Sequence, residues 1–299
     1  DALLTEIRDR ALAPASSSSA PGWQDADLLR RANAFIRELA ERLRRVRTGA
    51  FRTTKDTTFT ASTASYRIPT RAMSGLVALV RRIDSTGAVC KLEKWGEQDL
   101  DELDPTTEGT PEAFLFRDNS VVLYPVPDGS TESIRMTYYR RPSKLIGTST
   151  GTTGVIGVVS TKSSTQIVCA ASVPTTFGAG TPVPLDIIRG TPPFDSLYDD
   201  ATPSTISSAT LTFAAGVVPS SLVAGDYVAL AGQAPVLQMP VEAFYILAQM
   251  VANELQASDP VRLQDGQRKL ASLLADLTAA AGDRDDAEPD HVANRSGGQ

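Results

Sequence analysis

The residues able to do chemistry are few and badly placed for it. The chain has one histidine, His291, set between Asp290 and Val292 in a polar C-terminal stretch. A Ser-His-Asp or Cys-His pair could use no other imidazole, and such a stretch cannot hold the tight geometry that catalysis requires. The two cysteines, Cys90 and Cys169, match no zinc or redox spacing and read as reduced, buried thiols. One histidine and two scattered thiols cannot close a tetrahedral zinc shell. The sequence therefore predicts no catalytic residue, no metal ligand set and no cofactor, and a protein that is not an enzyme.

Two other patterns invite a chemical reading and do not support one. The run Gly147–Gly157 (GTSTGTTGVIG) is rich in glycine but lacks the Gly-Lys-Ser/Thr ending of a phosphate-binding loop, and no helix pattern follows it. It reads as a linker. Carboxylates gather at Asp99–Asp104 and Asp283–Asp290, without the spacing, central glycine and terminal glutamate of an EF-hand loop. Both read as solvated acidic stretches.

What remains is charge that could make contacts. Arg37, Arg42, Arg44, Arg45, Arg47 and Arg52 crowd one stretch, with Arg81-Arg82 and Arg140-Arg141 elsewhere. Glu38 and Glu41 stand at helical spacing to pair with Arg42 and Arg45, which would leave an ordinary polar face. The competing reading is an interface that meets acidic protein or DNA phosphate, for which arginine is well suited. The net charge of −6 argues against a general nucleic-acid-binding surface.

These residues must be positioned by the elements around them. Ala2–Leu12 is a short amphipathic helix, ended by Pro14 and a Ser-rich linker. Gln24–Arg47 is the clearest helix, with Leu28, Leu29, Ala32, Ile36, Leu39, Leu43 and Val46 in one stripe. Asp25 and Asp27 in its first turns and Arg44, Arg45 and Arg47 in its last suit the macrodipole. Phe51–Ile68 reads as a β-hairpin or extended loop, Thr70–Met73 as the first turn of a short helix, and Leu76–Ile83 as a strand turning at Ser85-Thr86-Gly87. Glu97–Glu108 is acidic, with a short helix ending at Pro105. Ala113–Phe116, Val121–Tyr124 and Ile134–Tyr139 read as a β-meander with turn residues between them.

Gly147–Pro235 interrupts the helical pattern. Its only charged residues are Lys162, Asp186, Arg189, Asp195, Asp199, Asp200 and Asp226, while Ser, Thr, Gly and Pro abound. Strand-length runs at Val155–Val159, Gln166–Cys169, Leu185–Ile188, Thr210–Phe213 and Asp226–Leu230 predict a small sandwich or barrel. Helix returns at Met239–Ala257, with Pro240 at its first position and Val241, Phe244, Tyr245, Ala248, Val251 and Leu255 on one face. A turn at Ser258-Asp259-Pro260 leads to a last helix lined by Leu263, Leu270, Leu273, Leu274 and Leu277. Gly282–Gln299 has almost no apolar content and is expected to order only on a partner.

The predicted fold class is thus α+β: a helical body of antiparallel helices with a β-meander and an inserted small all-β sandwich or barrel-like module. The expected divisions are 1–146 for the first part of the core, 147–235 for the inserted module, 236–281 for the helix pair that completes the core, and 282–299 for a flexible tail. A length of 299 residues agrees with about two domains. No apolar run approaches the ~18–20 residues that a membrane span needs, and DALLTEIRDRALAP is too charged for a secretory segment. A soluble protein made in the cytoplasm is expected.

Five segments, taken in order, resemble a known family. They are Trp23-x-Asp25-x-Asp27-Leu28-Leu29 opening a helix, Tyr66-Arg67-Ile68-Pro69-Thr70-Arg71-Ala72, Val121-Val122-Leu123-Tyr124-Pro125-Val126-Pro127, Met136-Thr137-Tyr138-Tyr139-Arg140-Arg141-Pro142, and Pro240-Val241-Glu242 opening the helix pair. Together they are similar to the head-to-tail adaptor (connector) proteins of tailed bacteriophages. The resemblance implies a structural virion protein at the head-tail junction, in a homo-oligomeric ring, usually of twelve copies, under the portal protein. Such a ring extends the DNA channel, passes DNA without sequence-specific binding, and offers a platform for a downstream nozzle, stopper or tail tube. It also implies docking through helices and a C-terminal arm, for which Gly282–Gln299, with Asp283, Arg284, His291 and Arg295, is the candidate by position. A closed ring requires a heterologous interface. The Arg-rich helix face is a candidate for one side of it and Glu97–Glu108 for the other.

Two rival readings belong to other classes. In one, the β module is a carbohydrate- or surface-binding unit that the helices merely oligomerise, which exposed aromatics would favour. Phe177, Phe194, Phe213, Tyr198 and Tyr227 are few and read as core. In the other, the carboxylates Asp199, Asp200 and Asp226 form a hydrolase centre, which would need two acids at a defined separation.

Overall fold

The structure, a computed structural model, describes residues 2–11, 24–46, 51–100, 106–129, 131–178, 181–192 and 194–285. It is α+β, with four helices among the described residues: α1 (Ala2–Arg10), α2 (Asp25–Val46), α3 (Val241–Leu255) and α4 (Pro260–Asp285). The chain divides into two compact units, 48–141 and the combination of 1–47 with 142–299.

Unit 48–141 is all β. In chain order its strands are β1 (Arg52–Thr58), β2 (Ser65–Arg67), β3 (Ala72–Ile83), β4 (Val89–Lys91), β5 (Glu93–Lys94), β6 (Glu108–Gly109), β7 (Ala113–Arg117), β8 (Ser120–Tyr124), β9 (Val126–Pro127) and β10 (Ser133–Arg140). They form two four-stranded sheets, β1-β10-β3-β4 and β2-β8-β7-β5, and a small β6-β9 pair. Alternation drives this arrangement. Ile134, Met136 and Tyr138 from the first sheet and Val121 and Leu123 from the second are buried in one core.

Three expectations fail here. The segment 51–68 is no hairpin, because β1 pairs with β10 while β2 pairs with β8. Thr70–Met73 starts no helix: β3 begins at Ala72 and kinks at Ser74 and Gly75, whose φ values are 52° and 69°. The meander is broken too. β7 and β8 make a hairpin, Ala113↔Tyr124 to Arg117↔Ser120, but β10 crosses to the other sheet and pairs with β1 and β3. A period of two fixes which face a side chain takes and says nothing about which strand lies alongside.

In the second unit, α2 forms as its apolar stripe requires, with Leu28, Ala32, Ile36, Leu39 and Leu43 buried. α1, α2 and α4 all pack on α3. That central helix is consequently buried almost all round, at Ala243, Ile246, Leu247, Ala248, Met250, Val251 and Ala252. The expected face holds at Ala248 and Val251, but Phe244 and Leu255 are half-buried and Tyr245 is exposed. In so apolar a helix, periodicity cannot choose the inward positions. Pro240 caps α3 from an extended conformation, φ −52° and ψ 148°, and is not its first helical residue. α4 buries Leu277, half-buries Leu263, Leu270, Leu273 and Leu274, and runs past residue 281 to Asp285.

The same unit carries β11 (Lys144–Leu145), β12 (Ile156–Lys162), β13 (Gln166–Cys169), β14 (Leu185–Ile188), β15 (Ser196–Ala201), β16 (Thr205–Ser207), β17 (Thr210–Thr212), β18 (Tyr227–Leu230) and β19 (Gln233–Ala234). β11 and β19 lie parallel, Lys144↔Gln233 and Leu145↔Ala234, and form the stem of the insertion. Asn33 of α2 fastens that stem. Its Nδ2 donates to Leu145 O at 2.8 Å and its Oδ1 accepts the Leu145 N–H at 2.7 Å. The remaining strands make one seven-stranded sheet, β15-β14-β18-β12-β13-β17-β16. Leu185 and Ile187 from one half and Ile167 and Leu211 from the other share a core with Phe177, so the sheet bends across itself. It stays open, with edges at β15 and β16, and is not a closed barrel.

Candidate interaction surfaces

Potentially reactive groups prove to be structural. Burial pushes the Cys169 thiol up to about 11, so it is protonated and inert at neutral pH. Cys90 is half-buried on β4. Asp186 and Asp226 are buried in the β module and spend their oxygens on backbone N–H groups. Asp186 accepts from Asp200 at 3.1 Å and Gly232 at 2.9 Å, and Asp226 from Gly190 and Val223, both at 2.8 Å. Asp199 accepts the Ser196 hydroxyl at 2.6 Å. These carboxylates pin loops. Among the described residues no group of three His, Cys, Asp or Glu could hold a metal ion.

The glycine-rich run turns in on itself. Val155 and Ile156 donate to Ser149 O at 2.9 and 3.2 Å, and a Cβ on Gly154 would lie 2.5 Å from that same oxygen. Strand β12 follows, with no helix N-terminus to receive a phosphate. Of the aromatics in the β module, Phe177 and Phe213 are buried, Phe194 and Tyr227 half-buried, and Tyr198 alone is exposed. One exposed ring makes no sugar-stacking platform.

The arginines of α2 divide by partner. Arg42 pairs with Glu38 at 2.7 Å and Arg37 with Glu41 at 3.7 Å, so Glu41 turns toward Arg37 where a pairing with Arg45 was expected. Arg45 is exposed and Arg44 half-buried. Arg52 is exposed on β1, in the other unit. The helix therefore brings Arg37, Arg42, Arg44 and Arg45 together, and Arg52 belongs to a different surface. Arg47, His291 and Arg295 lie outside the described residues. Asp283 and Arg284 fall in the last turn of α4, with side chains outside them. In Glu97–Glu108, a short 3-10 turn spans Glu97–Leu100, where Asp99 accepts the Gly96 N–H at 2.7 Å, and 101–105 lie outside the described residues.

The helical body is tied by polar contacts that sequence reading missed. Arg8 pairs with Asp25 at 2.6 Å, Arg31 pairs with Glu254, and Arg10 donates to Gln249 at 3.0 Å. These contacts lock α1 and α2 onto their neighbours. All of these residues lie in the first helices or in α3.

A family model, SU10 adaptor protein, matches residues 1–160. The chain belongs to this adaptor family. It is a family of structural phage proteins, components of the virion and not enzymes. The matched region takes in α1, α2, the whole of unit 48–141, the stem strand β11 and the start of β12. Most of the adaptor's β module, with α3 and α4, falls beyond it. No match to the chain is found among curated proteins. No helix among the adaptor's described residues is long and apolar enough to cross a membrane.

Proposed function

We propose that the protein stands at the head-tail junction of a tailed phage as a ring, of twelve copies, beneath the portal. In this reading the ring extends the DNA channel, passes DNA without reading its sequence, and offers a platform to a downstream tail component. The family match over 1–160 carries the proposal. It is supported by an inventory of reactive groups committed to structure, with Cys169 buried and Asp186 and Asp226 bound to backbone. Residues 1–146 and 236–281 act as the adaptor core, 147–235 enlarge its periphery or hold a fibre or tube, and 282–299 supply the arm that docks on the portal. Within the ring, the α2 arginines of one copy face Glu97–Glu108 of the next. Light scattering on a sizing column, with and without purified portal protein, tests the reading. A multimer that appears with portal is expected. A chain that never associates with portal would sink it.

A further inference from the structure

The outer face of the sheet β1-β10-β3-β4 carries a row of charge set by strand register. Asp56 is opposite Arg135, Arg135 opposite Arg81, and Arg81 opposite Lys91. Their sequence neighbours Ile134, Met136, Val80 and Leu92 are buried, so the four side chains point away from the core. Arg135 forms a two-pronged pair with Asp56, both contacts at 2.7 Å. Arg81 and Lys91 are exposed, and no ion pair to either exists among the described residues. Like charges placed directly opposite one another weaken a sheet, so this row works against the stability of the isolated unit.

The row is also bounded. Three cations on adjacent strands span about 10 Å, from two inter-strand spacings of about 4.8 Å. Asp56 closes one end. At the other, Lys91 borders a cleft of about 570 Å³ that holds Glu93 and Glu112 beside the apolar Leu79 and Phe116. A continuous phosphate track would run into carboxylates at both ends. A short acidic peptide would not.

The chain contains such a peptide. Asp283, Asp285, Asp286, Glu288 and Asp290 fall within eight residues, interrupted only by Arg284, Ala287 and Pro289. We infer that the cation row Arg135-Arg81-Lys91 docks the acidic C-terminal segment 283–290 of a second copy of this chain, by charge complementarity. Row and segment are different surfaces, so the contact is heterologous and can repeat from copy to copy. The inference deepens the ring reading by naming one contact in it, and it is read without portal present.

The test titrates a labelled peptide of residues 282–299 against the full-length chain at low salt. Saturable binding is expected, weakened about tenfold or more by the double change Arg81→Glu and Lys91→Glu, and lost with a peptide whose five carboxylates are replaced by amides. Undiminished binding in either case overturns the inference. Duplex DNA that binds more tightly through the same two residues overturns it as well. Arg81→Glu sets opposite charges beside Arg135 and Lys91, so its melting midpoint should hold or rise, which separates lost binding from lost folding. Sedimentation over a range of concentrations then asks whose segment is bound. Association that grows with concentration, and vanishes when Asp285, Asp286, Glu288 and Asp290 are amidated in the full chain, supports a second copy. A wild-type chain that stays monomeric throughout overturns that assignment.

Discussion

Asp226 holds Gly190 against the backbone of its own neighbour. The Asp226 carboxylate accepts the Gly190 N–H at 2.8 Å, and a Cβ at 190 would come 2.1 Å from the carbonyl oxygen of Gly225. The obstacle is main chain, which cannot swing aside as a flexible side chain can. Gly190→Ala should therefore cost about 2–4 kcal/mol, as overpacking against fixed atoms does. Asp226→Ala should cost a similar amount by stranding the N–H groups of Gly190 and Val223. Urea unfolding of the two variants measures both, and a change below about 0.5 kcal/mol in either would contradict the structure.

Asn33 makes a comparable clamp at the root of the β module. Its amide meets both backbone groups of Leu145, and the neighbouring Lys144 N–H and Ile146 N–H donate to Gly232 and Ala234 carbonyls at 2.8 and 3.0 Å. Asn33→Ala removes both side-chain bonds from a part-buried site. A loss of about 1–3 kcal/mol follows. The effect should be local. Amide hydrogen exchange at Leu145 is expected to quicken in the variant, while amides at the centre of the module, such as Val228, keep their protection.

Cys169 links stability to alkaline pH. Burial raises its thiol from the ordinary 9.0 to about 11 in the folded protein. The unfolded chain therefore releases this proton first as pH rises. The contribution is fully present below about pH 9 and is lost between about 9 and 11, by about 2–3 kcal/mol in all. Cys169→Ser should remove that share of the alkaline decline. Differential unfolding of the two proteins across this window reads it directly. An alkylating reagent at mildly alkaline pH should label the half-buried Cys90 well before Cys169.

The helices were nearly all legible in the sequence, and the reason is local. The α2 stripe from Leu28 to Leu43 and its terminal charges specify a helix without reference to anything distant, and its observed bounds lie within one residue of those expected. Strands such as Leu185–Ile188 and Gln166–Cys169 were equally readable as segments. Their partners were not, since β10 alternates identically whether it neighbours β8 or β3. β15 was missed because Ser196–Ala201 has no clean alternation, pairs irregularly with β14, and includes Asp200 at a φ of 58°. The same limit hid the cation row. Arg81, Lys91 and Arg135 become neighbours only through register, whereas the arginines of α2 are neighbours by helical spacing alone.

The packing of α3 on α4 depends on a missing side chain. A Cβ on Gly266 would lie 2.1 Å from Oδ1 of Asn253, which accepts a hydrogen bond from Gln249 Nε2 at 2.8 Å. Gln249 in turn accepts from Arg10 at 3.0 Å, so the amide of Asn253 ends a chain of contacts that reaches α1. Alanine at 266 favours the helix intrinsically by about 1 kcal/mol, yet here it must displace Asn253 and disturb that chain. The net effect of Gly266→Ala should be a loss of about 1–3 kcal/mol. The cause can be isolated by combining it with Asn253→Ala. If the clash with Asn253 is responsible, the double variant should be more stable than the two single costs predict, by 0.5 kcal/mol or more on the scale of about 0.5–3 typical of coupled neighbours. Additive costs in thermal unfolding would show that the two residues do not compete for this space.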